Sequence, residues 1–505
     1  VSVSAVQPTL GRSTVPALAR GPVLALAAAV GLLLLATSGR HGYFGDELYF
    51  LAAGRHLDWG YADQPPLLPL LARLMDTLAP GSLVVLRLPA TLVTATGVVV
   101  AALLARELGG GRKAQVLVAA TSAICPFLLG TGHYLATSTL DPFGWAVVTL
   151  LLVRWVRTRA DGLLVWAGVV TGLTLNVKFL LLGFWLVAGV CLLAVGPREL
   201  LRRPMLWVGA LIAAAAVAPT VVWQARNGWP QLDMNAAIAE EVTVGWGGRA
   251  LFLPGALLGA GLLPGVVLLI YGVVRLLRSA ELRPHRFLGW TTLGLAAVFL
   301  AIPGRPYYLA GMFPVCWAAA AVGVERVRPA RWWRWVPTWP VYVVSAVVAV
   351  PLSLPVYPTS WVTVRPEIPG PAFAFAELGW PDTVAAIAGA YHRIPEPRRR
   401  HAVVVTEFYW EAAAVARYGP EHGLPEPYSG HRGYWTLGRP PETADTVLYL
   451  GTDPSVLRAH FTEVRRVGEL PAGTGAMRPG TGLWLATGRT EPWETLWPRF
   501  RRFSI

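Results

Sequence analysis

The chain has 505 residues, a mean hydropathy of +0.49 and only 14% charged residues, well below the quarter or so usual in a soluble globule, which excludes that class and points to a polytopic membrane protein. The net charge of +14 would suit a nucleic-acid binder, but the basic residues sit in short clusters between apolar runs and form no continuous patch. Cys125, Cys191 and Cys316 all lie in apolar segments with no CxxC pair, so they read as small core residues, neither a disulfide framework nor a metal site.

Arg12 and Arg20 precede an apolar run from Pro22 to Thr37 that has no A-x-A-like cleavage site after it. It reads as a retained first span. Windows of about 20 residues predict spans near 21–39, 83–105, 114–131, 138–156, 162–177, 179–196, 205–223, 251–274, 287–302, 307–324 and 338–356, about eleven in all. Pro142, Pro219, Pro264 and Pro314 fall inside them. Between alternate spans lie "GGGRK", "RWVRTRAD", "PRELLRRP", "RLLRSAELRPHR" and "ERVRPARWWRW", and these arginine-rich loops should face the cytoplasm by the positive-inside rule. An odd number of spans then puts the N-terminus inside and residues 357–505 outside. Asp46, Glu47, Asp63, Asp141, Lys178, Asp233, Glu240, Glu241, Arg305 and the pair Tyr307–Tyr308 all map to that outer face. The expected organisation is a transmembrane domain over 1–356, with a first outer loop at 40–82, and a small extracytoplasmic α/β domain over 357–505. In the latter, strand-like runs at 401–406, 445–450 and 482–487 alternate with helix-like runs at 381–394 and 407–419. It has no G-x-G-x-x-G phosphate loop, so nucleotide binding has little support.

The first outer loop reads "HGYFGDELYFLAAGRHLDWGYADQPPLLPLLARL" from His41 to Leu74. Carboxylates where a chain leaves the bilayer cost several kcal/mol unless they are paired, metal-bound or facing water. "DELYFLAAGRHL" predicts one short helix and "PPLLPLLARLMDTL" a second, entered through its prolines. On the plain reading, Asp46 and Glu47 simply serve the first helix's N-terminal dipole.

An Asp-Glu directly after span one, two interfacial helices and an acid-x-Pro-Pro motif resemble the GT-C class of integral-membrane glycosyltransferases, above all the protein O-mannosyltransferase (glycosyltransferase family 39) and lipid A aminoarabinose transferase group. The likeness runs from about residue 20 to 330. It implies a polytopic α-helical GT-C fold, a catalytic aspartate at Asp46 followed by Glu47, and a second essential acid at Asp141 in "STLDPFGWA". "ADQPP" keeps the acid as Asp63, but Gln64 replaces a lysine that the aminoarabinose branch carries near the lipid phosphate. The family's lysine at the outer end of a middle span is matched by Lys178, and its basic-x-Tyr-Tyr stretch by Arg305, Tyr307 and Tyr308. Taken singly, Lys178 also fits a snorkelling interface residue and the tyrosines an aromatic belt.

A sugar on polyprenyl phosphate has its lipid in the membrane, its phosphate at the interface and its anomeric carbon just outside. Transfer to an acceptor hydroxyl needs a base, for which Asp46 is suited, and cations and hydroxyls for the leaving phosphate, for which Lys178, Arg305, Tyr307 and Tyr308 are suited. The resemblance thus implies a polyprenyl-phosphate sugar donor and an acceptor that is a glycan, lipid, protein or exported small molecule. The oxygen-rich set Asp46, Glu47, Asp63 and Asp141 could also hold Mg²⁺, Mn²⁺ or Ca²⁺. His133 could join it, although a loop histidine with no catalytic role is the simpler reading. The rival from another class is a transporter or lipid-linked sugar flippase, which tends to place charges at the bilayer midplane on repeat-related broken helices. Here the charges gather at span ends and no repeat is visible.

Overall fold

With no water in the bilayer core, backbone N–H and C=O groups must pair within the chain, so apolar runs fold as helices. The computed structural model, which describes residues 15–364, 374–470 and 480–504, follows this rule as far as Ser353. Among the described residues, five helices are long and apolar enough to cross a membrane: Arg20–Thr37, Leu83–Glu107, Thr137–Thr158, Pro204–Arg226 and Pro306–Arg326. Gly162–Leu175, Leu180–Val195 and Trp339–Ser353 are shorter apolar helices, and Arg286–Ala301 fills the window expected at 287–302.

Two windows expected as continuous spans are broken. The 114–131 window divides into Arg112–Ala123 and Pro126–Gly132, bent by 58°, because Pro126 biases Cys125 away from helical geometry and Cys125 is extended (φ −70°, ψ 115°). The 251–274 window divides into Gly248–Ala260 and Leu263–Arg278, bent by 109°. Gly261 makes that turn at φ +127°, where a side chain would be strained, and Pro264 starts the second helix. Helix length and composition therefore support a multi-pass membrane chain without establishing eleven crossings.

Close packing follows small residues. Phe313–Arg326 is buried from Phe313 to Val324, an alanine-rich stretch that lets neighbouring backbones approach. Gly168 and Gly209 do the same for Gly162–Leu175 and Pro204–Arg226, where a Cβ on either would strike the other helix's backbone.

The C-terminal part carries a five-stranded sheet of β1 (Ala402–Thr406), β2 (Pro427–Ser429), β3 (Thr446–Gly451), β4 (Phe461–Glu469) and β5 (Gly482–Arg489), in the order β2-β1-β3-β5-β4. β1 runs parallel to β2 and β3, while β5 is antiparallel to β3 and β4. The three strand-like runs in the sequence form β1, β3 and β5, each rich in buried aliphatic residues. β2 has only three residues and β4 is an edge strand with mostly exposed side chains, so neither carries a hydrophobic run that would announce it. The helix-like runs form Trp380–His392 and Tyr409–Tyr418.

This part packs directly on the first loop, whose two expected helices form at Gly45–Arg55 and Leu67–Leu78. Helix Gly45–Arg55 lies between Leu67–Leu78 and Tyr409–Tyr418, and Phe44, Leu48 and Ala53 share one apolar core with Val384, Ala412 and Val415. Gly45 is placed where a Cβ would collide with the Trp410 indole.

Under this interface Arg87, near the start of Leu83–Glu107, is fully buried. Its Nε and Nη2 donate to Glu47 at 2.9 and 2.7 Å, a fork-to-fork pair, and Nη1 and Nη2 donate to the carbonyls of Ser38 and Gly42. Glu377, from the C-terminal part, approaches the same guanidinium at 4.0 Å and His133 at 3.2 Å. Glu47 further accepts from the backbone N–H groups of Phe44 and Leu135, both at 2.9 Å. Removing the cation leaves buried carboxylates unpaired, so Arg87→Met is expected to cost about 3–5 kcal/mol, read as a clearly lowered unfolding midpoint of the purified chain in detergent. An unchanged midpoint would contradict this role for the pair.

Candidate active site

Between the first loop, the membrane helices and the sheet lies a cavity of about 690 Å³, a size typical of small-molecule sites. Asp46 enters it from the first turn of Gly45–Arg55, and Asp63 and Gln64 from the turn before Leu67–Leu78. Lys178 comes from the break between Gly162–Leu175 and Leu180–Val195, and Arg305 and Tyr308 from the turn that leads into the buried Phe313–Arg326 helix. The apolar side of the cavity is built by Leu182, Leu186, Val298 and Ile302, on the facing helices Leu180–Val195 and Arg286–Ala301 and the residue just after them.

Asp46 is held by the C-terminal part. Tyr409 Oη donates to its Oδ1 at 2.6 Å and Trp410 Nε1 to the same oxygen at 2.7 Å. Oδ2 has no hydrogen-bond partner among the described residues, so one carboxylate oxygen is fixed and the other is open to the cavity. Asp63 accepts from Tyr49 Oη at 2.8 Å. Burial pushes its carboxyl up to about 6, against the pull of the Tyr49 hydrogen bond and the Arg432 charge.

The cations are arranged differently from one another. Lys178 Nζ lies 4.5 Å from the Tyr308 ring centroid and 5.4 Å from that of Tyr307, and it has no ion-pair partner among the described residues. Arg305 donates to Tyr307 Oη at 2.9 Å and to Glu241 Oε2 at 3.0 Å. Arg432, from the segment after β2, lines the cavity too, donates to Tyr409 Oη at 3.3 Å and is ion-paired with the other oxygen of Glu241. One carboxylate thus bridges two guanidinium groups at the cavity wall. Gln64 is buried, and its Nε2 donor has no partner among the described residues.

Of the residues singled out in the sequence, Asp46, Asp63, Gln64, Lys178, Arg305 and Tyr308 meet at this cavity. Tyr307 stands just behind, with its hydroxyl on Arg305 and its ring stacked on Phe127. Asp141 is buried in Thr137–Thr158, accepts from Trp145 Nε1 at 3.0 Å and lies close enough to Lys178 to interact with its charge. Glu47 and His133 do not reach the cavity wall and sit in the Arg87 cluster instead. Among the described residues no three acidic, histidine or cysteine side chains form a set able to hold a metal ion, so the acids expected as a divalent-cation site are dispersed. Tyr409, Trp410 and Arg432 were not foreseen. The aromatic doublet in "EFYWEAAAV" and the basic pair in "GHRGYW" have no membrane context to mark them as unusual.

The family model of the dolichyl-phosphate-mannose-protein mannosyltransferases matches residues 63–223, a stretch that carries Asp63, Gln64, Asp141 and Lys178. No curated protein matches the sequence. The fold is similar to that of ArnT from Cupriavidus metallidurans bound to undecaprenyl phosphate, with a TM-score of 0.58 at 14% identity over 92% of this chain and 98% of that one. It is similarly close to the apo state of the same protein, with a TM-score of 0.56 at 15% identity over 93% and 98%. The matched segment thus resembles the dolichyl-phosphate-mannose-protein mannosyltransferases, and the fold resembles that of ArnT.

Proposed function

We propose that this chain transfers a monosaccharide from a polyprenyl-phosphate donor to an acceptor hydroxyl at the outer face of the membrane, with Asp46 as the general base. The observation that carries the proposal is the meeting, in one cavity, of an open carboxylate oxygen on Asp46, an unpaired ammonium on Lys178 and an apolar side between two membrane helices. In this reading the isoprenoid lies along Leu182, Leu186, Val298 and Ile302. The phosphate sits among Lys178, Arg305 and Tyr308, with Gln64 offering a further N–H. The acceptor hydroxyl gives its proton to Asp46 Oδ2 as its oxygen bonds to the anomeric carbon. The bond from that carbon to the phosphate oxygen breaks, and its electron pair leaves with the polyprenyl phosphate. Tyr409 and Trp410 fix the rotamer of Asp46, so little reorganisation is needed when the proton moves. Asp141, close enough to interact with the charge of Lys178, offers that ammonium a buried counter-charge.

The outer-face assignment is supported by the arginine asymmetry, with Arg112, Arg202 and Arg331 cytoplasmic and residues 357–505 outside. A similar protein, ArnT, is known bound to undecaprenyl phosphate, which supports this donor class. Sugar and acceptor are set by surfaces around the reacting atoms, and the acceptor class spans glycans, lipids, proteins and exported small molecules.

Asp46→Asn is expected to lower transfer by about a hundredfold or more while leaving donor binding nearly intact, the pattern for a lost general base. Turnover by purified variant, with donor affinity measured alongside, checks it, and near-normal turnover would refute the assignment. Arg305→Ala should do the opposite, weakening lipid-donor affinity more than Asp46→Asn does. Reconstituted protein given matched sugars on polyprenyl phosphate and on a nucleoside diphosphate should use only the former, and transfer solely from the nucleotide would end the donor proposal. Asp63, ionised only above about pH 6, should give kcat/KM an acid limb that rises through that pH. Asp63→Asn, unable to ionise, should lack the limb, and an unchanged profile would show that Asp63 ionisation does not govern the reaction.

A further inference from the structure

The helix bundle has a second cavity at the end remote from the acidic one, and we propose that it binds the phosphate headgroup of an anionic membrane phospholipid. It has a volume of about 480 Å³ and lies where three helices begin, lined by Pro22 near the start of Arg20–Thr37, by Arg112 and Lys113 of Arg112–Ala123, and by Thr338, Trp339 and Tyr342 at the start of Trp339–Ser353. The 18 residues of Arg20–Thr37 lead from this cavity to Ser38, whose carbonyl meets Arg87 beneath the first loop. That helix is about 27 Å long, close to the thickness of a bilayer's hydrocarbon core, so this cavity and the Arg87 cluster lie at its opposite ends.

Charge and shape at this cavity match a lipid phosphodiester. Arg112 and Lys113 are exposed, and neither has an ion-pair partner among the described residues. The neighbouring acid, Glu325, is already committed, since its carboxylate accepts from the backbone N–H groups of Gly111 at 2.6 Å and Ala114 at 3.2 Å. It thereby caps the helix that carries the two cations, and leaves their side chains to the cavity. The Tyr342 hydroxyl is likewise engaged, 2.6 Å from Thr121 Oγ1, so that wall presents ring surface. Trp339 is 59% exposed, and Trp332 and Trp335 nearby are 79% and 50% exposed, the placement of indoles that sit at headgroup level. A free phosphate would use the cations and leave the aromatic and apolar walls bare. A phospholipid uses both, with its headgroup on Arg112 and Lys113 and its chains along the helices, and each basic residue near the surface adds to the preference for an anionic headgroup.

Native mass spectrometry of the full chain, purified in detergent and incubated separately with phosphatidylglycerol, phosphatidylcholine and undecaprenyl phosphate, tests the proposal. The chain should retain phosphatidylglycerol in preference to phosphatidylcholine. The double variant Arg112→Gln, Lys113→Gln should lose about tenfold in that retention with undecaprenyl phosphate retention unchanged, while Arg334→Gln, an exposed arginine that does not line the cavity, should behave like the parent chain. The site is refuted if the parent holds both phospholipids equally, if the double variant keeps its phosphatidylglycerol, or if Arg334→Gln loses as much. It is also refuted if the loss falls on undecaprenyl phosphate instead, because the cavity would then belong to the polyprenyl carrier.

Discussion

A guanidinium enclosed in protein at membrane depth has to find its counter-charges inside the fold, and the arrangement around Arg87 follows from that requirement. Its fork pairs with Glu47, and its remaining N–H groups take the carbonyls of Ser38 and Gly42. Glu377 and His133 complete the cluster from two other parts of the chain. The end of the first helix, the start of the first loop, helix Leu83–Glu107 and the segment that leads into the sheet are thereby fixed to one point. Asp46 precedes Glu47 on the same helical turn, so the pairing that secures Glu47 also sets where Asp46 projects. Because breaking a buried pair costs more than forming it returns, the cluster acts mainly by making other placements of the loop unfavourable.

The cavity above it divides its charges by how they are compensated. Arg305 and Arg432 share Glu241, whereas Lys178 rests over tyrosine rings with no carboxylate among the described residues within ion-pair distance. An anion arriving in this cavity meets at Lys178 only the more distant charge of Asp141, and meets the two arginines only by sharing them with Glu241. In the proposed mechanism this makes Lys178 the first anchor of the donor phosphate and the arginines a second, adjustable one.

Much of this was legible in the sequence for one physical reason. Charge is expensive in and beside a bilayer, so Asp46, Asp63, Lys178 and Arg305 stand out against an apolar background. The same signal could not separate a reacting carboxylate from a structural one, and the adjacent Asp46 and Glu47 look equivalent until Arg87 is placed. Arg87 itself was visible as a lone arginine within the 83–105 window, and the rule that such a charge needs a buried partner calls for a carboxylate without saying which one. The breaks at Cys125 and Gly261 were marked only by a proline and a glycine, weak signals in membrane helices, which tolerate both. Tyr409, Trp410 and Arg432 were hidden because, in a segment of ordinary polar composition, nothing in the local sequence says which aromatic or basic residue will turn toward a loop more than three hundred positions earlier.

That separation bears on how the protein is made. Asp46 is among the first tenth of these residues to leave the ribosome, and the two side chains that hold its carboxylate follow 363 and 364 positions later. Until they arrive, Asp46 has neither of its hydrogen-bond donors, and Gly45 has no indole against it. A nascent chain that has inserted all its membrane helices would still carry an unorganised carboxylate. Completion of the site thus waits for Tyr409 and Trp410, and a chain interrupted before them would carry the lipid-facing half of the cavity but not the side chains that orient Asp46.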